Sequence, residues 1–204
     1  MTSEKNQDPG KRGQILLAAE QVFSEWGFKG ATIREVAEKA GSASSLIFYY
    51  FKNKTALYEA VFQNFFDQLE DLIQQHLSLD LDRLGQLREF LFSVTDYSKE
   101  HRNMIRILLR EIIDDGRMVR EIAQKYFTPL YETWNEVFQQ GKKEALFKEI
   151  DPLHHIHSLI GTTVFYFIAE PIMRELGGNA DPYGSEQIEK RKIEVWNLVR
   201  SSLM

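Results

Sequence analysis

The chain has 204 residues, with 25 Lys or Arg and 30 Asp or Glu, so its net charge is −5 at pH 7. This length can bury a substantial core, either as one large domain or as a small and a larger domain in close contact. The chain has no cysteine, which excludes disulfides, thiolate metal sites and thiol nucleophiles. Its acidic balance argues against nucleic-acid binding by the whole surface.

The charge is unevenly distributed along the chain. Residues 1–54 carry eight Lys or Arg and six Asp or Glu, a net charge of +2, whereas residues 55–204 have a net charge of −7. An excess of two charges attracts DNA only weakly, so binding there would depend on well-placed contacts. The most apolar stretch, residues 158–169, is too short to cross a bilayer, and no signal sequence is visible. We therefore expect a soluble, cytoplasmic protein.

The spacing of apolar residues is helical throughout and predicts an all-α protein. Residues 1–10 have few apolar side chains and predict a disordered arm. The predicted helices, nine to ten in number, cover residues 11–27, 32–40, 42–51, 55–77, 81–100, 102–114, 117–127, 129–145, 152–176 and 185–203. We expect the first three to form a small domain of residues 1–54 and the others a larger domain of residues 55–204.

The first predicted helix has an apolar stripe and a clear end. The stripe consists of Ile15, Ala19, Val22, Phe23 and Trp26. Gly27 follows at once and is a natural C-terminal stop.

Two short helices separated by a glycine follow. Thr32 and Glu35 have the spacing of a capping box, which starts the first of them, and Gly41 ends it. A short helix, a glycine turn and a second short helix form a helix-turn-helix, in which the second helix can enter the major groove of DNA. Residues 32–51 therefore predict a DNA-binding motif.

The second short helix has two distinct faces. Steps of about 100° per residue place Ile47 and Phe51 on its inner face, and Ser45 and Tyr49 nearly opposite. The outer face is therefore available to DNA. Apolar side chains on its flanks, such as Leu46, would suit thymine methyl groups.

The stretch from Ile15 to Val61, including GFKGATIREVAEKAGSASSLIFYYFKNKTALYEAV, resembles the DNA-binding domain of the TetR/AcrR family of regulators. The resemblance is specific because the capped helix, the AEKAG turn, the YYF end and the KNK opening of the next helix occur together in order. It covers about a quarter of the chain. It implies a DNA-binding transcriptional regulator with a helical effector-binding and dimerisation domain, rather than an enzyme.

The resemblance also implies the roles of individual residues. Thr32 and Lys54 correspond to phosphate contacts, while Arg34 and the outward side chains of the short helix correspond to base and groove contacts. The implied DNA-contacting residues are Thr32, Arg34, Ser44, Ser45, Leu46, Tyr49, Tyr50 and Lys54. One departure concerns the turn, where Ser42 and Ala43 replace the valine and serine that many members have. We expect Ser42 or Ser44 to cap the short helix instead.

The last two predicted helices carry apolar stripes. In the family, the corresponding helices of two subunits form a four-helix dimer interface. The stripe residues assigned to this interface are Ile156, Ile160, Val164, Phe167, Val195, Trp196 and Val199. The alternative interpretation is that the stripes form only the core of the chain itself.

Family members hold a ligand cavity between the long fourth helix and the penultimate helix. The aromatic or polar-tipped residues that we expect around it are Tyr97, His101, Met104, Arg106, Phe127, Tyr131, Trp134, Phe165 and Tyr166. The alternative for each is a place in the core or on the surface. The many aromatic rings suggest an apolar or planar effector, with Arg106 available for an acidic group.

The sequence predicts neither a metal site nor a catalytic site. His154, His155 and His157 do not share one helical face and lack the i, i+4 spacing of zinc helices, so we expect no metal site. No pair of catalytic groups is visible, and we expect neither an enzyme nor a cofactor.

The sequence therefore predicts a repressor that binds a palindromic operator as a homodimer and is released by a small-molecule effector. One alternative is an activator with the same fold, which differs only in the position of its operator. The other is an architectural DNA-binding protein, which would need a more basic surface. The sequence does not indicate the operator or the effector.

Overall fold

The structure is a computed structural model that describes residues 9–114, 116, 118–177 and 181–204. The regular structure in these residues is entirely helical, which confirms the all-α prediction. Most of the predicted arm lies outside the described residues. Its last two residues, Pro9 and Gly10, belong to the first helix instead, where proline suits the first turn because it has no N–H to leave unpaired.

The helices follow the predicted order, with ends that differ by a few residues. They are α1 (Pro9–Gly30), α2 (Ile33–Lys39), α3 (Ser44–Phe51), α4 (Lys54–Leu77), α5 (Arg83–Glu100), α6 (Arg102–Ile113), α7 (Val119–Ile122), α8 (Thr128–Lys143), α9 (Pro152–Ile168), α10 (Glu170–Leu176) and α11 (Ser185–Leu203). A π-helical segment, Ala123–Phe127, joins α7 to α8 without a break.

The predicted end of the first helix corresponds to a break inside α1. Gly27 has a φ of 67°, a left-handed conformation that favours glycine. A Cβ atom at Gly27 would lie 3.1 Å from the guanidinium group of Arg110, so the glycine also allows α6 to approach. Trp26, predicted on the buried stripe of α1, is exposed instead, because the buried part of that stripe ends at Phe23.

The predicted helix 152–176 is wrong, since α9 and α10 meet at a bend of 71°. The cause is Pro171, which has no N–H to donate to the carbonyl of Phe167. That carbonyl accepts a hydrogen bond from the Tyr183 hydroxyl at 2.8 Å instead. No single helix in the described part of the chain meets the length and apolarity needed to span a bilayer, although α9 and α10 meet them jointly across their bend.

Two main hydrophobic cores lie one after the other along the molecule. The first core packs α1, α2 and α3 against the first half of α4 and against α6. The second core lies among the end of α4 and helices α5, α8, α9 and α11. The predicted domain division at residue 54 falls at the start of α4, but the first core continues along that helix to Phe66.

A buried carboxylate links α4 to α6 inside the first core. The Tyr58 hydroxyl donates to one oxygen of Glu111 at 2.8 Å, and the Met118 amide donates to the other at 3.2 Å. Burial raises the pKa of Tyr58, and the hydrogen bond to Glu111 raises it further. The phenol therefore remains a donor at any physiological pH, and both carboxylate oxygens are paired.

A second carboxyl group, that of Glu20, lies where α1 packs against α6. Burial raises the pKa of Glu20 to about 7, and the backbone amide of Met104 lowers it only in part. Between about pH 4.5 and 7, the unfolded chain loses this proton while the folded chain keeps it. The free energy of unfolding therefore falls as the pH rises through this range.

We expect Tyr58→Phe to lower the free energy of unfolding by about 1–3 kcal/mol, because it leaves a buried carboxylate oxygen of Glu111 without its donor. Urea unfolding measures the change. Tyr131→Phe is the matched control, since the half-buried Tyr131 hydroxyl makes no hydrogen bond to the described residues. Equal unfolding midpoints for the two variants would contradict a stabilising role for the Tyr58–Glu111 bond.

We expect Glu20→Gln to stabilise the fold at pH 8, because glutamine keeps a neutral side chain at a site where ionisation is unfavourable. The melting temperature should rise by about 2–4 °C, the change that roughly 1 kcal/mol produces in a chain of this size. Near pH 4.5 the variant and the parent should melt together. Glu25→Gln, at an exposed position on α1, is the control. A gain that does not vary with pH would contradict the raised pKa.

Candidate nucleic-acid interface and internal cavity

The capping box at the start of α2 is confirmed. The Glu35 amide donates to the Thr32 hydroxyl at 3.2 Å, and the Thr32 amide donates to the Glu35 carboxylate at 2.7 Å. Gly41 follows α2 with a φ of 55° and forms the tight turn. These local interactions fix where α2 begins and where the chain turns into α3.

The predicted cap of α3 is wrong. The helix begins after Ala43, which has no side chain able to cap it, and Ser44 is already its first residue. The Ser42 hydroxyl is buried and has no hydrogen-bond partner among the described residues. Ala43 therefore occupies the capping position, with Ser42 before it and Ser44 after it.

The two faces of α3 are confirmed. Ile47 and Phe51 are buried in the first core, whereas Ser45 is exposed and Tyr49 keeps 43 % of its surface exposed. Phe48 is also exposed, on the flank of the same face, although it is absent from the predicted contact residues. The outer face of α3 is thus a ridge of hydroxyl-bearing and aromatic side chains with no covering element from the described residues.

The other predicted contacts border this ridge. Thr32 is exposed at the start of α2, and Arg34 is exposed two residues later in an ion pair of 2.9 Å with Glu38. Such an exposed pair is weak, so a phosphate group can displace it. The Lys54 ammonium lies 4.8 Å from the centre of the Phe28 ring, and partial burial lowers its pKa. Thr32, Arg34 and Lys54 remain predicted DNA contacts.

Two further cations, missed in the sequence, lie beside the turn. The Lys11 ammonium donates to the carbonyls of Ala40 and Gly41 at 3.2 and 3.3 Å. The Arg12 guanidinium lies 5.2 Å from the centre of the Phe51 ring. Sequence spacing does not show that the start of α1 packs beside the end of α2, because that contact joins residues about 30 positions apart.

A largely apolar cavity lies among α4, α5, α6, α8 and α9. Its internal volume is about 120 Å³. Its walls include Phe65 and Phe66 from α4 and Ile105 and Leu108 from α6. No charged side chain of the described residues lines it, so the cavity is suited to an apolar molecule.

Three of the nine predicted effector residues, Tyr97, Phe127 and Trp134, line this cavity. The others lie elsewhere. Met104 is fully buried in the first core, because it faces away from the cavity-lining Ile105 on the same helix.

The remaining predicted effector residues lie outside this cavity. His101 stacks beside Tyr97 but outside the cavity wall, and Tyr131 packs at the edge of the second core. Arg106 points outward and pairs with Glu170 at 3.7 Å.

Two aromatic residues of α9 are also outside the cavity. Phe165 is 64 % exposed, and the Tyr166 hydroxyl donates to the carbonyl of Pro182. Helical spacing does not reveal which face of α9 meets the cavity, because nearly all of its faces are apolar.

The predicted dimer residues lie mostly inside the chain. Ile156, Phe167, Val195 and Val199 are buried by the chain itself, which favours the alternative interpretation of a core stripe for these four. Two others, Ile160 and Val164, line the cavity, and Trp196 is half-buried. Regular spacing identifies a buried stripe, but not whether its own chain covers it.

Other large apolar side chains remain exposed on the last three helices. They are Leu153, Phe165, Ile172, Leu176, Ile193 and Leu198.

The three histidines of α9 have separate surroundings. His155 packs edge-on against Phe138, and burial lowers its pKa, whereas His157 Nδ1 lies 2.7 Å from the Leu153 carbonyl. His154 is exposed. The described residues contain no cluster of three His, Cys, Asp or Glu able to hold a metal ion.

Comparisons with known proteins match both parts of the chain. Residues 15–61 match the family of bacterial regulatory proteins called the tetR family, and residues 84–199 match the tetracyclin repressor-like C-terminal domain. Regulators of this family bind DNA operators and typically act as dimers with small-molecule effectors.

Individual relatives are similar over most of their length. The probable HTH-type transcriptional regulator YttP of Bacillus subtilis is 27 % identical over 71 % of this chain and 70 % of its own. The HTH-type transcriptional repressor NicS of Pseudomonas putida is 26 % identical over 76 % and 74 %. A Clostridium perfringens putative fatty acid metabolism regulator shares the fold, with a TM-score of 0.77, 20 % identity, and coverage of 94 % of this chain and 98 % of its own.

The second match alone spans more than half of the chain, and the first covers the helix-turn-helix. The chain therefore belongs to the TetR family and is a DNA-binding transcriptional regulator rather than an enzyme.

Proposed function

We propose that the chain is a cytoplasmic repressor that binds a palindromic operator as a homodimer and releases it when a small molecule occupies the apolar cavity. The observation that carries the proposal is the exposed ridge of α3, bordered by the cations of α1, α2 and α4. The names of relatives favour repression, since NicS is described as a repressor. An activator would differ only in where its operator lies.

DNA reading divides between the ridge and its border. Tyr49 and Ser45 offer hydroxyl groups to base edges, and Leu46 offers an apolar side chain to thymine methyl groups. Thr32 and Lys54 are placed to contact phosphates, which set orientation without reading sequence. The net charge of the chain is −5, so its overall electrostatic field does not attract DNA. Its affinity for DNA therefore depends on individual contacts to bases and phosphates.

We place the dimer surface on the exposed apolar side chains of α9, α10 and α11. Phe165 is 64 % exposed and Ile193 is 52 % exposed, on helices that pack against each other. A two-fold axis through this surface would give each dimer two copies of α3. Two recognition helices about 34 Å apart read two half-sites one turn of DNA apart.

Helices α4 and α6 couple the cavity to the DNA-binding part. Phe65 and Phe66 belong to the first core and also line the cavity. On α6, Ile107 is in the first core, while Ile105 and Leu108 line the cavity. A ligand that binds a hundredfold tighter to a DNA-incompetent arrangement of these helices can weaken operator binding by up to the same factor, about 2.7 kcal/mol.

We expect Tyr49→Ala to weaken specific operator binding by about tenfold, because it removes a side chain placed to read bases. The measurement is a mobility shift at two salt concentrations, with DNA from upstream of the gene that encodes the chain. Leu81→Ala is the control, since Leu81 has a similar exposure of 48 % and lies outside the helix-turn-helix. Equal, salt-sensitive binding of all three proteins to any DNA would contradict specific reading at this site.

We expect Phe165→Glu to convert a dimer into monomers, because a carboxylate buried in an apolar interface is strongly unfavourable. Analytical ultracentrifugation at micromolar concentration measures the oligomeric state, with Leu81→Glu as the control for an added surface charge. Operator binding should fall together with dimerisation. A parent protein that is monomeric and still binds its operator fully would rule out the proposed dimer.

A further inference from the structure

We infer that the apolar cavity binds an uncharged, mainly apolar molecule that carries a carbonyl oxygen, and that Ser98 and Thr163 recognise this oxygen. The inference rests on the proposed role of the cavity as the effector site. It goes further by naming the chemical class of the ligand and the residues that select it.

The walls of the cavity exclude charge. Aliphatic and aromatic side chains make up nearly all of them, including the rings of Phe65, Phe66 and Trp134, and no charged side chain of the described residues takes part. A carboxylate or ammonium group inside would lose its hydration without gaining a counter-ion, which is strongly unfavourable. The part of the ligand that enters must therefore be neutral.

Two hydroxyl groups interrupt this apolar lining without partners. Ser98 on α5 is 5 % exposed, Thr163 on α9 is 4 % exposed, and both line the cavity. Neither hydroxyl makes a hydrogen bond to any described residue. Buried hydroxyls are normally paired, so these two are available to a molecule that occupies the cavity.

Two other helical hydroxyls show the usual arrangement. The Thr95 hydroxyl donates to the Leu91 carbonyl at 2.8 Å, and the Ser158 hydroxyl donates to the His154 carbonyl at 2.9 Å. Bonds of this kind satisfy a hydroxyl within its own helix. Ser98 and Thr163 lack them and instead face the cavity.

The third hydroxyl of the cavity wall is already used. The Tyr97 hydroxyl donates to the Phe65 carbonyl at 2.7 Å. Ser98 and Thr163 therefore carry the remaining hydroxyl donors of the wall, on two helices that pack against each other. A carbonyl oxygen has two lone pairs and no hydrogen of its own, so it complements two donors better than any charged group does in these surroundings.

The test compares three bicyclic probes of nearly equal size. These probes are 2-ethylnaphthalene, which has no oxygen, 2-acetylnaphthalene, which has one carbonyl, and the anion 2-naphthoate. Each probe competes with the neutral dye N-phenyl-1-naphthylamine for binding to the full chain. The loss of dye fluorescence on displacement measures the affinity of the probe. We expect 2-naphthoate to bind at least about tenfold more weakly than 2-acetylnaphthalene, because its charge is not paired in the cavity.

The residue assignment depends on variants. In Ser98→Ala/Thr163→Val, the ratio of the 2-acetylnaphthalene affinity to the 2-ethylnaphthalene affinity should fall by about threefold to tenfold. Each single variant should show part of the effect, which keeps the test valid if the double variant does not fold. Thr95→Val is the matched control, because that buried hydroxyl is paired within its helix, and the ratio should not change.

Three results would overturn the inference: tight binding of 2-naphthoate, no dye displacement by either neutral probe, or an affinity ratio that the variants leave unchanged. The measurement uses no DNA, so it is independent of operator binding. Tyr49→Ala should bind the probes like the parent chain. A failure of DNA reading and a failure of the ligand assignment are therefore distinguishable.

Discussion

The arrangement of the molecule depends on α4 and α6, because each of these helices contributes side chains both to the first core and to the cavity wall. Phe65 and Phe66 on α4 complete the core of the DNA-binding part and form a wall of the cavity. Helix α6 does the same with nearby residues, since Ile107 lies in the first core and Ile105 lines the cavity. Because close-packed side chains tolerate little change in volume, neither environment can rearrange without a response from the other.

Two carboxyl groups, those of Glu111 and Glu20, lie where α4 and α1 pack against α6. The Glu111 carboxylate is satisfied by donors from α4 and from the segment after α6, whereas Glu20 meets an environment that favours its neutral form. The two groups thus differ in their effect on stability, the first through paired hydrogen bonds and the second through a penalty that grows with pH. Apolar packing holds the DNA-binding part against the rest of the chain, and the carboxyl groups of Glu111 and Glu20 raise or lower the free energy of unfolding.

Features set by neighbouring residues could be predicted from the sequence. The capping box of Thr32 and Glu35 and the two faces of α3 depend only on spacing within one or two turns, and both are confirmed. The bend between α9 and α10 had a local signal, Pro171, that the apolar pattern around it obscured.

Features set by distant contacts could not be predicted in the same way. The stripe containing Val195 was identified as buried, but its spacing does not show that α5 and α9 cover it rather than a second subunit. The cations of Lys11 and Arg12 were missed for a similar reason, since their partners lie far along the chain. The hydroxyls of Ser98 and Thr163 have no distinctive spacing, and they are set apart only by their burial in the cavity wall without a helical hydrogen bond in the described structure.

The π-helical segment Ala123–Phe127 fixes an angular relation between the two environments. It accommodates one more residue than an α-helical path would, and each residue turns a helix by about 100°. Deleting one residue there would rotate Ile122, in the first core, by that angle relative to Trp134, in the cavity wall. The number of residues in this short segment therefore sets the orientation of the first core relative to the cavity. A variant one residue shorter would change that orientation without changing a side chain of the core or of the cavity wall.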